Sequence, residues 1–114
     1  MEAYRRKIKS LVKEFQSVLG LHQYRMTRLY IGIPHKIRRE LDMTYRGSAG
    51  YYACMHMTGP YTFVLSVARS IPEKKLRNII AHEMAHVLLN RLVGQLDDIE
   101  VACNRVASAV ERVA

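Results

Sequence analysis

The chain has 114 residues, a mass of 13.2 kDa and a formal net charge of +8, with a sequence pI near 9.8. Hydrophobic residues make up 49% and charged residues 25%, which excludes a disordered tract or a fibrous repeat. This length predicts one domain over residues 1–114, and the positive charge admits nucleic acid, an anionic membrane or an acidic substrate as a partner.

Cysteine usage and the N-terminal sequence indicate the compartment. Cys54 and Cys103 form no C-x-x-C pair, and no apolar leader follows Met1. These features predict reduced thiols and a cytoplasmic location. No apolar run reaches the roughly 18 residues that a membrane span requires, so we expect a soluble protein without a membrane span.

Residues 2–19 predict the first helix. Apolar side chains recur there at the spacing of one buried helical face, and Gly20 supplies the stop. The opposite face is basic. Such a face can bind a membrane or nucleic acid, but we favour the solvated back of a core helix; its cations are Arg5, Arg6, Lys7, Lys9 and Lys13.

Three short segments rich in β-branched and aromatic residues predict a small sheet. Residues 28–34 form the first strand, and residues 51–57 and 61–68 form a hairpin around a Gly-Pro turn. Between the first two strands the sequence is polar, with one helical turn expected over residues 36–41.

Ser70-Ile71-Pro72-Glu73 reads as a capping box and predicts the start of the next helix. That helix carries His82-Glu83-Met84-Ala85-His86, which has the HExxH spacing. Histidines four residues apart on a helix can reach one metal ion from the same face. Glu83 projects about 100° round the helix, where a general base would have to stand. The alternative is a pair of solvent-facing histidines, which the flanking apolar residues argue against.

A last helix is predicted over residues 96–113, after a break at Gly94-Gln95. Asp97 and Asp98 lie near its start, where carboxylates suit the helix dipole. Glu100 falls within its apolar stripe.

Catalytic zinc usually takes three protein ligands, and no histidine follows His86. Glu100 is the best candidate for the third ligand, because a core-facing carboxylate is costly without a partner. Asp97 and Cys103 are lesser candidates for that position. An ion pair between Glu100 and an arginine is the alternative without metal.

A strand hairpin leading into an HExxH helix, followed by Glu100-Val101-Ala102-Cys103-Asn104 on a second helix, resembles the catalytic core of gluzincin metallopeptidases. By size the chain is most similar to the minigluzincins, soluble single-domain relatives of membrane-embedded peptidases. The resemblance covers nearly the whole chain. It implies an α+β fold with a zincin-like minimal core: an N-terminal helix, a three-stranded sheet with a hairpin, the HExxH helix and a C-terminal helix that carries the glutamate.

The resemblance also implies a zinc-dependent metallopeptidase. Zinc would be held by His82, His86 and Glu100, and Glu83 would take a proton from the water that attacks the scissile carbonyl. The place of an aspartate that usually orients a zinc-binding histidine falls to Asn104. Its amide oxygen accepts a hydrogen bond but supplies no negative charge, so we expect lower ligand basicity.

The implied partner is a peptide or protein substrate, aligned by main-chain hydrogen bonds along residues 61–68 as the edge strand. A Tyr or His that stabilises the oxyanion is also implied, and the sequence does not choose among Tyr51, Tyr52, His56 and Tyr61. Some minigluzincins are latent, so a zymogen or a weakly active isolated chain is expected. Exchange of the C-terminal helix between two copies would give a homodimer.

Two other functions match parts of the sequence. A SprT-like protease acting on DNA-associated proteins would suit the +8 charge, but that family places a third histidine downstream, which this chain lacks. The other is a basic binding protein with a non-catalytic zinc site. Nucleic acid is therefore an alternative partner that we do not favour.

Overall fold

The structure is a computed structural model that describes residues 2–32, 52–95 and 98–113. Across these residues the chain forms an α+β fold, as the sequence predicts. The predicted helical turn over residues 36–41 lies outside the described residues. The elements, in chain order, are α1 (Glu2–Val18), β1 (Arg25–Ile31), β2 (Ala53–Met57), β3 (Thr62–Val67), α2 (Glu73–Leu89), a 3-10 helix (Asn90–Gln95) and α3 (Ile99–Val113).

The three described strands form a mixed sheet in the order β1-β3-β2. β2 and β3 are antiparallel, which confirms the predicted hairpin, and β1 pairs with β3 in parallel. The expectation that residues 61–68 form an edge strand is therefore wrong. β3 lies in the middle because β1 pairs along its other side, and its side chains Phe63, Leu65 and Val67 are fully buried, as is typical of a central strand.

β1 begins three residues earlier than predicted, at Arg25 rather than Arg28. Three of its first four residues, Arg25, Thr27 and Arg28, are polar and exposed, and the parallel register shifts between Met26 and Arg28. The backbone N–H of Arg25 nevertheless donates to Tyr61 O at 2.9 Å and starts the pairing. Residues 33–34, the end of the predicted strand, lie outside the described residues.

One hydrophobic core joins the helices to one face of the sheet. α1 ends as predicted, with Gly20 at φ 69°, a left-handed conformation that glycine adopts without strain. Burying each large aliphatic or aromatic side chain contributes about 1.5–3 kcal/mol. No helix in the described ranges is both long and apolar enough to cross a bilayer. The fully buried members of this core include Ile8, Phe15, Phe63, Leu65, Val67, Ile80, Met84 and Val87.

The predicted capping box at Ser70-Ile71-Pro72-Glu73 is wrong. Pro72 is the N-cap of α2, and no side chain caps the helix there. A capping box needs its glutamate at the third helical position, but Glu73 is the first residue of α2, and its carboxylate pairs with Lys7 of α1 instead. The carbonyl of Pro72 starts the helix by accepting from Lys75 N at 2.8 Å.

Candidate metal centre

α2 presents His82 and His86 on one face, as their spacing predicts. Their Nε2 atoms lie 3.1 Å apart, and the two rings meet edge to face with centroids 4.8 Å apart. The neighbouring positions of α2 carry small buried residues, Ala81 and Ala85, which leave room for a second helix to pack closely.

That second helix is α3, which packs along α2 and brings Glu100 to the histidines. Glu100 Oε2 lies 2.9 Å from His82 Nε2, and Glu100 Oε1 lies 3.0 Å from His86 Nε2. The ligand atoms of these three residues all lie within 4.8 Å of one another. The structure therefore brings together the three predicted ligands from two helices.

The donor set and its spacing suit a zinc ion. Two imidazole nitrogens and one carboxylate are a common ligand set for catalytic zinc, and tetrahedral bonds of about 2.0–2.1 Å place ligand atoms about 3.3 Å apart. The three separations between His82, His86 and Glu100 are 2.9, 3.0 and 3.1 Å. An outward shift of a few tenths of an ångström would accommodate the ion.

The cluster is open to solvent on one side. The side chains of His82 and His86 retain 17% and 22% of their accessible surface, and that of Glu100 retains 43%. Sites that hold zinc only for structure close the tetrahedron with a fourth protein ligand. Within the described residues only three ligands converge, which leaves one side for water or substrate.

Hydrogen bonds join the Glu100 carboxylate to both imidazoles. Hydrogen bonds from His82 and His86 hold the pKa of the Glu100 carboxyl well below its usual range, despite partial burial that opposes this. The same contact with Glu100 is the main reason why the pKa of His82 is raised, against the opposing effect of burial. The carboxylate is thus ionised and aimed at both imidazoles at neutral pH.

Asn104 orients the first histidine, in the place the resemblance implied. Asn104 Oδ1 lies 2.9 Å from His82 Nδ1, and since this oxygen can only accept, the contact assigns the proton to Nδ1. His82 Nε2 is thereby aimed towards Glu100 and the cluster centre. Asn104 is one helical turn beyond Glu100, so a single face of α3 supplies both contacts.

We expect Asn104→Ala to weaken zinc binding by about 10–100-fold and Asn104→Asp to strengthen it, because a carboxylate at this position adds negative charge to the same hydrogen bond. Competition with a chromophoric chelator measures both affinities. Equal affinities for the wild type and the two variants would show that the contact between Asn104 and His82 does not tune the site.

Glu83 is buried, with 7% of its surface exposed, in a helix whose neighbouring residues are mostly apolar. Burial raises the pKa of its carboxyl, while the nearby His86 and His82 act in the opposite direction. Glu83 is not one of the three converging ligands. It is instead a buried carboxyl that directly follows His82 in the chain, the position that the HExxH pattern gives to a general base.

The three converging ligands of the described residues include no other candidate. Cys103 is fully buried on α3, and burial raises the pKa of its thiol to about 12. Asp97 and Tyr51 lie outside the described residues. Tyr52 and Tyr61, two candidates for the oxyanion, face the cations Lys75 and Arg91. The described contacts place none of the oxyanion candidates at the ligand cluster.

Asp98 fixes the start of α3 and with it the position of Glu100. Its Oδ1 accepts hydrogen bonds from the backbone N–H groups of Glu100 at 3.0 Å and Val101 at 3.2 Å, which makes Asp98 the N-cap. α3 therefore begins at Ile99, three residues later than predicted. The two helices that carry the candidate ligands, α2 and α3, come from the same chain in the structure. Exchange of α3 between two copies stays a prediction.

We expect Asp98→Ala to destabilise the fold by about 1 kcal/mol, since it removes the acceptor for two N–H groups. For a domain of this size the melting temperature should fall by about 4–8 °C in a thermal unfolding experiment. Asp98→Asn is the matched control, because asparagine caps equally well. If both variants melt at the same temperature, the cap does not stabilise α3.

Comparison with known proteins identifies no relative of this chain. No family model, no curated protein and no solved structure matches it. Its function is therefore inferred from the geometry of the three converging ligands and the buried Glu83.

Proposed function

We propose that the protein is a zinc-dependent metallopeptidase of the gluzincin type with a zincin-like core. One observation carries this proposal: Nε2 of His82, Nε2 of His86 and the Glu100 carboxylate converge at about 3 Å from two helices, beside the buried Glu83. A site that served only to hold the fold together would have no use for a second, buried carboxylate that does not join the ligands.

When bound, zinc supplies Lewis acidity, which polarises a carbonyl and lowers the pKa of a water ligand to about 7. The chain's own residues supply the remaining functions. Glu83 accepts the proton at its carboxylate and later delivers it to the leaving amine. Asn104 holds the His82 ring so that Nε2 faces the site.

Among the described strands β2 lies at one edge of the sheet, and we propose that a peptide is aligned along this edge instead of along residues 61–68. The N–H of Ala68 donates to Tyr52 O, and the N–H of Thr58 donates to Thr62 O. In this antiparallel register the even-numbered residues of β2 are therefore the ones whose backbone groups hydrogen-bond to β3. The N–H and C=O groups of the odd-numbered residues therefore point away from β3. β2 also packs against α2, so an extended peptide added at this edge would lie next to the metal centre.

Zinc content and peptide cleavage test the proposal together. We expect the purified protein to bind one zinc ion and to cleave members of a quenched fluorescent peptide library. Chelation should remove the cleavage, and added zinc should restore it. A chain that holds stoichiometric zinc, cleaves no peptide and binds DNA with a strong salt dependence would instead be the basic binding protein.

A further inference from the structure

Two exposed tyrosines each stack against a cation on α2 or directly after it. Lys75 Nζ lies 5.7 Å from the centre of the Tyr52 ring, and Arg91 Cζ lies 5.0 Å from the centre of the Tyr61 ring. Tyr52 is 37% exposed and Tyr61 is 41% exposed. Tyr24 packs against Tyr61 edge to face at 5.3 Å and fixes that ring. The rings hold the two cations at defined surface positions.

These two pairs lie on either side of the metal centre. Lys75 precedes His82 by seven residues, about 10 Å along the helix, and Arg91 follows His86 by five residues, about 8 Å. Their tyrosines mark the two ends of β2: Tyr52 directly precedes the strand, and Tyr61 follows the turn after it. The two cations therefore lie beside opposite ends of β2, with the metal centre of α2 between them along the helix.

Neither cation is neutralised by a carboxylate in the described part of the chain. The ion pairs of lysine and arginine found there use Lys7 with Glu73 and Arg77 with Glu14. A tyrosine ring attracts a cation without cancelling its charge, so Lys75 and Arg91 keep N–H donors for a further acceptor. The ring contacts reduce the conformational entropy that each side chain would lose on binding that acceptor.

We infer that Lys75 and Arg91 form two anion-binding subsites that select acidic peptides, with carboxylates on both sides of the bond to be cleaved. This inference rests on the proposed peptidase function. The metal centre lies between His82 and His86, so the two cations are about 11–14 Å from it along the helix. An extended strand rises about 3.3 Å per residue, so this distance corresponds to the third or fourth residue on either side of the metal centre. The net charge of +8 adds long-range attraction for such a substrate.

Binding is measured separately from cleavage, on zinc-loaded Glu83→Gln protein. The probe is a fluorescein-labelled peptide of about ten residues with glutamates three and four positions to either side of its centre, compared by anisotropy with its glutamine analogue. We expect the acidic peptide to bind about tenfold more tightly. Lys75→Gln or Arg91→Gln, each introduced into the Glu83→Gln protein, should lower the ratio of the two affinities by about three- to fivefold, as is typical of exposed charge pairs. Both together should abolish it.

Matched controls separate position from net charge. Lys74→Gln and Arg112→Gln remove one exposed cation each, next to Lys75 and on α3 respectively, and should leave the preference within twofold. Lys75→Arg and Arg91→Lys keep the charge and should keep most of the preference.

Two results would overturn the inference. One is equal affinity for the acidic and amide peptides, and the other is an equal effect of the control and subsite variants. An oligonucleotide that displaces the acidic peptide at lower concentration than unlabelled peptide does would also overturn it, in favour of nucleic acid. If the acidic preference follows Lys75 and Arg91 but wild-type protein cleaves no peptide, the subsites stand and the proposed peptidase function fails.

Discussion

Glu83→Gln is expected to lower kcat for peptide hydrolysis by about 10²–10⁴-fold while leaving one zinc ion bound. The amide has nearly the same shape as the carboxylate but cannot accept the proton from the attacking water. Zinc binding should persist because the proposed ligands are His82, His86 and Glu100 and do not include Glu83. Steady-state hydrolysis of a fluorescent peptide gives kcat, and metal analysis of the same sample gives the zinc content.

The buried position of Glu83 adds a second readout. Burial disfavours its charged form, so a neutral amide at this position should not lower the free energy of unfolding. Glu73→Gln is the matched control, because Glu73 lies on the same helix but is exposed, and we expect no change in kcat beyond about twofold. If Glu83→Gln kept wild-type kcat with zinc bound, another group would be the base.

Sequence reasoning located the candidate site because helical geometry is local. His82 and His86 lie one turn apart, and so do Glu100 and Asn104, so each helix presents its pair on one face wherever the helix lies in the fold. In the structure Glu100 contacts both histidines, and Asn104 contacts His82. Only the packing of α3 on α2 had to be supplied by the fold.

The order of the strands in the sheet could not be predicted from local sequence patterns. β3 is central because it pairs with β1, more than thirty residues earlier in the chain, and no local pattern encodes that pairing. The predicted capping box at the start of α2 was wrong for a local reason. Pro72 ends the extended segment and is itself the N-cap of the helix. The pairs of Lys75 with Tyr52 and Arg91 with Tyr61 depend on where β2 ends relative to α2, so sequence analysis missed them.

Glu100→Ala is expected to weaken zinc binding by more than the roughly 10–100-fold that loss of an outer partner such as Asn104 costs, because it removes one of three direct ligands. The fold should survive. The Glu100 side chain is 43% exposed, and surface ion pairs contribute about 0–1 kcal/mol, so the melting temperature should change little. Calorimetric titration with zinc, in the presence of a competing chelator, measures the loss.

Glu111→Ala is the control for this variant. Glu111 lies on the same helix, three turns from Glu100, and bonds Asn78 at the surface, so its removal takes one carboxylate from α3 without touching the cluster. Zinc affinity should then stay within about twofold of the wild type. Stoichiometric, tight zinc in Glu100→Ala would place the metal on the two histidines and some other group. The convergence of two helices on one ion would then be lost, and with it the reason to assign Glu83 the role of base.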